Sequence, residues 1–187
     1  MVTTVERPHE NEYAPFYAGY VALVPDGDVF ETLARQPEAL RTLLARLSTE
    51  QADFRPGPEE WSIKEVIGHI NDTERVFAYR ALRFARGDET PLAGFEQDDY
   101  VREAHFGARP LPDLMEEFDL LRRANVLAFR DLSREASLRQ GTASGFAVSV
   151  RALLYMMAGH VAHHLESLRQ DYLARLGRDL PAEETAT

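Results

Sequence analysis

The chain of 187 residues contains no cysteine. That absence excludes a disulfide framework, a thiolate metal site and a cysteine nucleophile together. No apolar run approaches the roughly 20 residues that a membrane-spanning helix needs, so no membrane partner is expected. The segment from Met1 to Asn11 is polar and mixed in charge, without the apolar stretch of a secretory signal, and a cytoplasmic location is the simplest expectation. Basic residues are in the minority, 21 Lys and Arg against 31 Asp and Glu, for a formal charge of −10. Such a balance repels a phosphate backbone unless the cations gather on one face. Arg75, Arg80, Arg83, Arg86, Arg122 and Arg123 do recur, but acidic residues lie among them. They read as solvated helix faces, and no nucleic-acid partner is expected. Strand alternation, internal repeats and low-complexity stretches are also absent.

What remains is the composition of an ordinary globular protein, 44% hydrophobic and 28% charged, of a length that favours one domain over residues 1–187 with one core. Tyr13, Phe16, Tyr17 and Tyr20 precede a Pro25-Asp26-Gly27 turn signal, so the first 27 residues are expected to pack on the core, partly as a short helix. Val29, Leu33, Leu40, Leu43, Leu44 and Leu47 recur at helical spacing and predict a first long helix from Asp28 to Leu47, which Pro37 must kink or divide.

After a Pro/Gly-rich stretch, Ser62 and Glu65 form a capping-box pattern that starts a second helix running to about Arg86, where Gly87 ends it. A long connection from Gly87 to Pro112 carries the acidic cluster Glu96, Asp98 and Asp99 beside Tyr100, with room for one short helix. Leu114, Phe118, Leu121 and Phe129 predict a third helix over Asp113 to Leu132, and Gly141 to Gly145 reads as a loop. The last helix starts with Ser149 as its N-cap and reaches about Leu176, with Gly177 as its stop. The fold class is therefore all-α, a four-helix bundle with an extra N-terminal segment and a long connection between its second and third helices.

Three of the six histidines crowd into Gly159-His160-Val161-Ala162-His163-His164. At about 100° per residue, His160 and His164 lie about 40° apart on one face of the last helix, in the stripe of Leu153, Met156, Met157 and Leu168. His163 leaves that stripe. His69 on the second helix shares a stripe with Val66, Thr73, Val76 and Phe77, so two helices send imidazoles inward. A His pair at i, i+4 chelates one ion, and a third imidazole from a facing helix completes a set that leaves a coordination position open, as catalytic sites do. The plainer reading is that these are hydrogen-bonded core histidines, although several uncompensated imidazoles in one core are costly. His9 and His105 fall in irregular segments and are expected at the surface.

The run Trp61-Ser62-Ile63-Lys64-Glu65-Val66-Ile67-Gly68-His69-Ile70, followed by Asp72, Glu74 and Arg75, resembles the second helix of the DinB/YfiT-like metalloproteins. Ala158-Gly159-His160-Val161-Ala162-His163-His164-Leu165 resembles that family's last helix, and Gly94-Phe95-Glu96-Gln97-Asp98-Asp99-Tyr100 is also similar to its connection. The likeness spans roughly Tyr13 to Leu173. It implies an up-and-down-type four-helix bundle with its own helix order, often a homodimer, binding nickel or zinc through His69, His160 and His164. It also implies activities such as thiol-dependent S-transfer, thiol-dependent isomerisation or metal-dependent hydrolysis.

The function expected on these grounds is a metal-dependent transferase or hydrolase acting on a small molecule. Its divalent ion activates a water or a low-molecular-weight thiol, which a chain without cysteine must borrow. Asp72, Glu65 and Tyr100 are candidates for second-shell, base or site-lining roles, Asp98 for the mouth, and Arg80 for an anionic substrate group. The alternative is a non-enzymatic metal-binding or structural bundle, in which His163 or Asp72 would close the coordination sphere.

Overall fold

The computed structural model describes residues 5–177. Single-turn 3-10 segments at Glu10–Glu12 and Pro15–Tyr17 lead into a short helix α1 (Ala18–Ala22). Then follow α2 (Val29–Leu44), α3 (Thr49–Ala52), α4 (Ile63–Ala85), α5 (Gln97–Ala104), α6 (Leu111–Phe129), α7 (Arg134–Leu138), the strands β1 (Gln140–Ala143) and β2 (Phe146–Ser149), and α8 (Val150–Ser167). The bundle proper is α2, α4, α6 and α8. Among the described residues no helix is long and apolar enough to cross a membrane.

Local chemistry sets the helix starts. Asp28 accepts the Phe30 N–H, Ser149 accepts the Ala152 N–H, and Ser62 and Glu65 exchange side-chain and backbone bonds at 3.2 and 2.7 Å. Gly87 leaves α4 at φ +77°, a conformation that costs glycine little. Pro37 neither divides nor ends α2. Its missing N–H frees the carbonyl of Leu33, four residues back, and the Arg122 guanidinium approaches that oxygen at 3.5 Å.

Three expectations are corrected. The segment expected to be a loop at Gly141–Gly145 is most of strand β1 and the Ser144-Gly145 turn of an antiparallel hairpin that pairs Gln140 with Ser149 and Ala143 with Phe146. Strands of four residues are too short to print an alternating pattern, and Leu92 of the long connection pairs alongside β1. The last helix widens after Ser167 into π-helical turns over Leu168–Leu173, in which the Ala174 N–H reaches back five residues to Arg169. Two of the arginines expected in solvent, Arg80 and Arg122, are buried, at 3% and 0% exposure.

The apolar core falls into two clusters. One holds Leu33, Phe77, Phe129 and Leu153, the other Leu40, Ile70, Phe118 and Val161. Following each helix from one cluster to the other gives its direction: α4 and α6 run one way, α2 and α8 the opposite way, so the helices do not alternate as the up-and-down type implied by the resemblance would. Two parallel helices joined in sequence need a connection that returns the length of α4, roughly 35 Å for its 23 residues. That is why residues 86–110 form so long a link.

Between the clusters lies a buried polar layer. Arg122 donates to Glu74 at 2.9 Å and to Gln36 at 2.7 Å, its plane lies over the Phe118 ring, and Asn125 donates to the second Glu74 oxygen at 2.8 Å. Gln36 donates to the Ala158 carbonyl at 2.6 Å. One cation thus ties α2, α4, α6 and α8 together. Removing only one partner of such a pair leaves a buried charge unmatched. Arg122→Leu is expected to cost about 3–5 kcal/mol in urea unfolding, and the double variant Arg122→Leu/Glu74→Leu clearly less. Equal losses in the two proteins would show that the pair is not what the layer depends on.

Candidate metal centre

α4 and α8 bring His69, His160 and His164 together. His160 Nε2 lies 2.9 Å from His69 Nε2 and 3.0 Å from His164 Nε2, and the three ligand atoms sit within 4.8 Å of one another. His69 and His160 are buried and His164 is half-buried. The i, i+4 spacing puts two rings on one face of α8, edge-on to each other, while antiparallel packing presents His69 of α4 opposite them. Among the described residues no other three histidine or carboxylate side chains bring their ligand atoms together in this way.

Burial dominates the electrostatics. It lowers the His69 imidazole from 6.5 to about 4, with the charge of His163 adding to the effect. His160 and His164 are driven well below the ordinary histidine range by burial first, then by their neighbouring imidazoles. All three are therefore neutral at pH 7. A neutral imidazole nitrogen carries either one hydrogen or one in-plane lone pair, so it makes one good hydrogen bond. His160 Nε2 has two imidazole nitrogens at hydrogen-bonding distance and can satisfy only one of them. Three neutral nitrogens converging on one point match the donor set of a late divalent ion, and the residues present fit it.

Aromatic rings surround the imidazoles. Trp61 packs on His69 at 4.7 Å between centroids, and Phe77 meets His160 edge-on at 6.2 Å. Tyr20 meets His160 edge-on at 5.5 Å and flanks His163 at 5.4 Å. Tyr20 is a neighbour that the sequence pattern did not disclose, since it lies 140 positions before His160 with only a run of aromatics around it. Gly159 carried the available signal. A glycine inside a helix invites a close backbone approach, and a Cβ there would stand 2.0 Å from the Tyr20 carbonyl oxygen.

The remaining candidates lie elsewhere. His163 is exposed, beside His164 at 5.1 Å between rings, and outside the converging set. Glu65 is committed to its capping box and to Arg55 at 2.7 Å. Asp72 faces α6 with Arg75 at 3.8 Å, in a group that includes Glu117 and Arg109. Tyr100 is 48% exposed on α5 and packs on Phe95, and Asp98 is exposed. Arg80 is not available to a substrate anion: it donates to the Ala93 carbonyl at 2.9 Å and to the Ser144 hydroxyl at 3.0 Å, holding the long connection and the hairpin against α4. His9 and His105 are exposed, as expected.

A groove of about 870 Å³ between α2, α3, α4 and α6 is lined by Leu44, Lys64 and Met115 but by none of these histidines. Its buried Lys64 is already bound to Asp53 at 2.8 Å and to the Gly107 carbonyl at 3.2 Å. The converging imidazoles, not this groove, carry a donor set for a metal ion.

Residues 32–168 match the sequence pattern of the DinB superfamily. No curated protein matches the chain. A solved structure from Bacillus subtilis, YfiT, described as a probable metal-dependent hydrolase with an unusual four-helix bundle topology, superposes with a TM-score of 0.73 at 14% sequence identity, covering 93% of this chain and 95% of that one.

The neutral imidazoles make the metal-free protein sensitive to acid. Their folded pKa values lie below that of the unfolded chain, so the unfolded state binds more protons and stability falls as pH drops from about 6.5 towards about 4. His69 alone accounts for on the order of 3 kcal/mol across that window. Urea midpoints of metal-free protein between pH 7 and about 4.5, above most carboxylate titrations, should decline steadily, and less so for His69→Leu. A flat profile would mean that the imidazoles are not held neutral by the fold.

Proposed function

The chain belongs to the DinB superfamily, and from that premise we propose that it is a metal-dependent enzyme acting on a small molecule, as a thiol-dependent S-transferase or a hydrolase. His69, His160 and His164 are the ligands of one divalent ion, nickel or zinc. The observation that carries this reading is the convergence of three neutral Nε2 atoms from two helices in the interior of the bundle. The description of YfiT as a probable metal-dependent hydrolase supports the same class.

When bound, the ion supplies Lewis acidity that lowers the pKa of a water or thiol at its open position. The protein's own residues prepare that position. Burial keeps the three imidazoles uncharged at neutral pH, so that each can offer a lone pair to an ion, and rigid helices hold the rings without a flexible loop. Trp61, Phe77 and Tyr20 pack against the imidazoles and help to keep bulk water from them. His163, exposed with its ring 5.1 Å from that of His164, would be the nearby base of this scheme. A thiol in the reaction comes from a cosubstrate, because the chain has none. A closed, purely structural site would need a fourth protein ligand, and neither His163 nor Asp72 belongs to the converging set.

Elemental analysis tests the reading, on protein without a histidine tag, dialysed without chelator, beside His160→Ala and His164→Ala. About one equivalent of nickel or zinc is expected in the parent and a small fraction of that in each variant. A parent protein that holds no metal even after reloading would return the three histidines to the core as ordinary packing residues.

A further inference from the structure

A continuous set of rings joins the imidazoles to the protein surface. Tyr20, against His160 and His163, packs on Tyr17 at 6.2 Å and on Phe16 at 6.3 Å, and Phe16 meets Tyr17 edge-on at 5.2 Å. Phe77 of α4 closes the other side, 6.0 Å from Tyr17 and 6.2 Å from His160. At the outer end Phe16 is 79% exposed, a large apolar ring left in water although burial of such rings is the main drive to fold.

The segment that carries these rings is firmly docked. The Tyr20 backbone sits directly on Gly159, one residue before His160. Arg7 donates to the carbonyls of Val21 at 2.8 Å and Val24 at 2.6 Å and lies over the Tyr155 ring. Glu12 is buried with Arg151 and accepts the Ser149 hydroxyl at 2.7 Å. Its carboxyl is held down at about 2, because the bonds from Arg151, the His9 backbone and Ser149 outweigh the opposing effect of burial. An ordered backbone that presents one exposed and two half-buried rings in line with converging imidazoles has the form of a binding wall, pre-organised at little entropic cost.

Resting on the metal-enzyme reading above, we propose that Phe16, Tyr17 and Tyr20 are the substrate wall of the imidazole site and select a molecule with an uncharged planar aromatic group beside its reacting atom. Rings at these spacings accept another ring edge-on or offset, which adds to the gain from simple area burial. A cationic group, the other ligand for aromatic faces, would lie next to the charge of the divalent ion and be repelled. The wall specifies what binds, while the imidazoles specify what reacts.

Two probes with one metal-binding head separate the wall from the metal: benzohydroxamate and acetohydroxamate, titrated by calorimetry into the zinc-loaded full chain. Trp61, the single tryptophan and a neighbour of His69, reports by fluorescence that they bind at the site. The parent protein is expected to prefer the aromatic probe about tenfold beyond their preference for zinc in solution, and Tyr20→Leu and Phe16→Ser to bring this below about threefold, with acetohydroxamate binding unchanged in Phe16→Ser. Phe16→Ser alters a side chain that is mostly in solvent, so it reports on binding rather than folding. No excess preference in the parent, or a preference kept by both variants, overturns the wall and leaves the metal reading intact. If neither probe binds the zinc-loaded chain, both readings fall together. If Phe16→Ser abolishes a dimer while the preference stays unchanged, Phe16 belongs to a subunit contact and the wall is likewise overturned.

Discussion

The buried guanidinium of Arg122 is the constraint around which the bundle is arranged. It stands where two apolar clusters meet, and Glu74 and Gln36 bring α4 and α2 to it while Gln36 also grips the backbone of α8. Apolar contacts are non-directional and would tolerate sliding of one helix past another, whereas a charged pair away from water tolerates almost none. Burial lowers the pKa of Arg122, but the carboxylate of Glu74 opposes that effect, and a guanidinium stays charged. The layer therefore sets the axial register of all four helices.

The imidazoles depend on that register. His69 lies five residues before Glu74 on α4, and His160 two residues after Ala158, whose carbonyl accepts from Gln36. A shift of one helical turn, about 5.4 Å, would carry His69 out of reach of His160. Structural and chemical polar groups thus occupy neighbouring levels of one interior, the first a charge paired with Glu74 and Gln36, the second a set of converging imidazole nitrogens. The N-terminal segment completes the arrangement by laying its backbone on Gly159.

Much of this was legible in the chain before folding was considered. The helix starts at Asp28, Ser62 and Ser149 follow from side chains that bond to N–H groups two or three residues on. The inward course of His69, His160 and His164 follows from helical periodicity, because an apolar stripe points to the core in any bundle. The arginines could not be sorted in the same way. Arg122 and Arg123 are adjacent and alike in sequence, yet one is wholly buried and the other exposed, since Glu74 and Gln36 await only the first. Arg80 turned inward for a similar reason, its partners coming from the long connection and the hairpin turn.

The sequence by itself determined where the long helices begin, which apolar faces turn inward, and that the candidate metal ligands are histidines with no thiolate among them, because these are consequences of neighbours a few residues apart. Tertiary structure alone decided that α4 and α6 run parallel, that Arg122 is a core residue, that four-residue strands pair into a hairpin, and that Tyr20 stands beside His160. Each of those outcomes depends on groups tens of residues away. The pairing of a charge, the closing of a ladder and the approach of one backbone to another have no local signature, and are settled only when the helices pack.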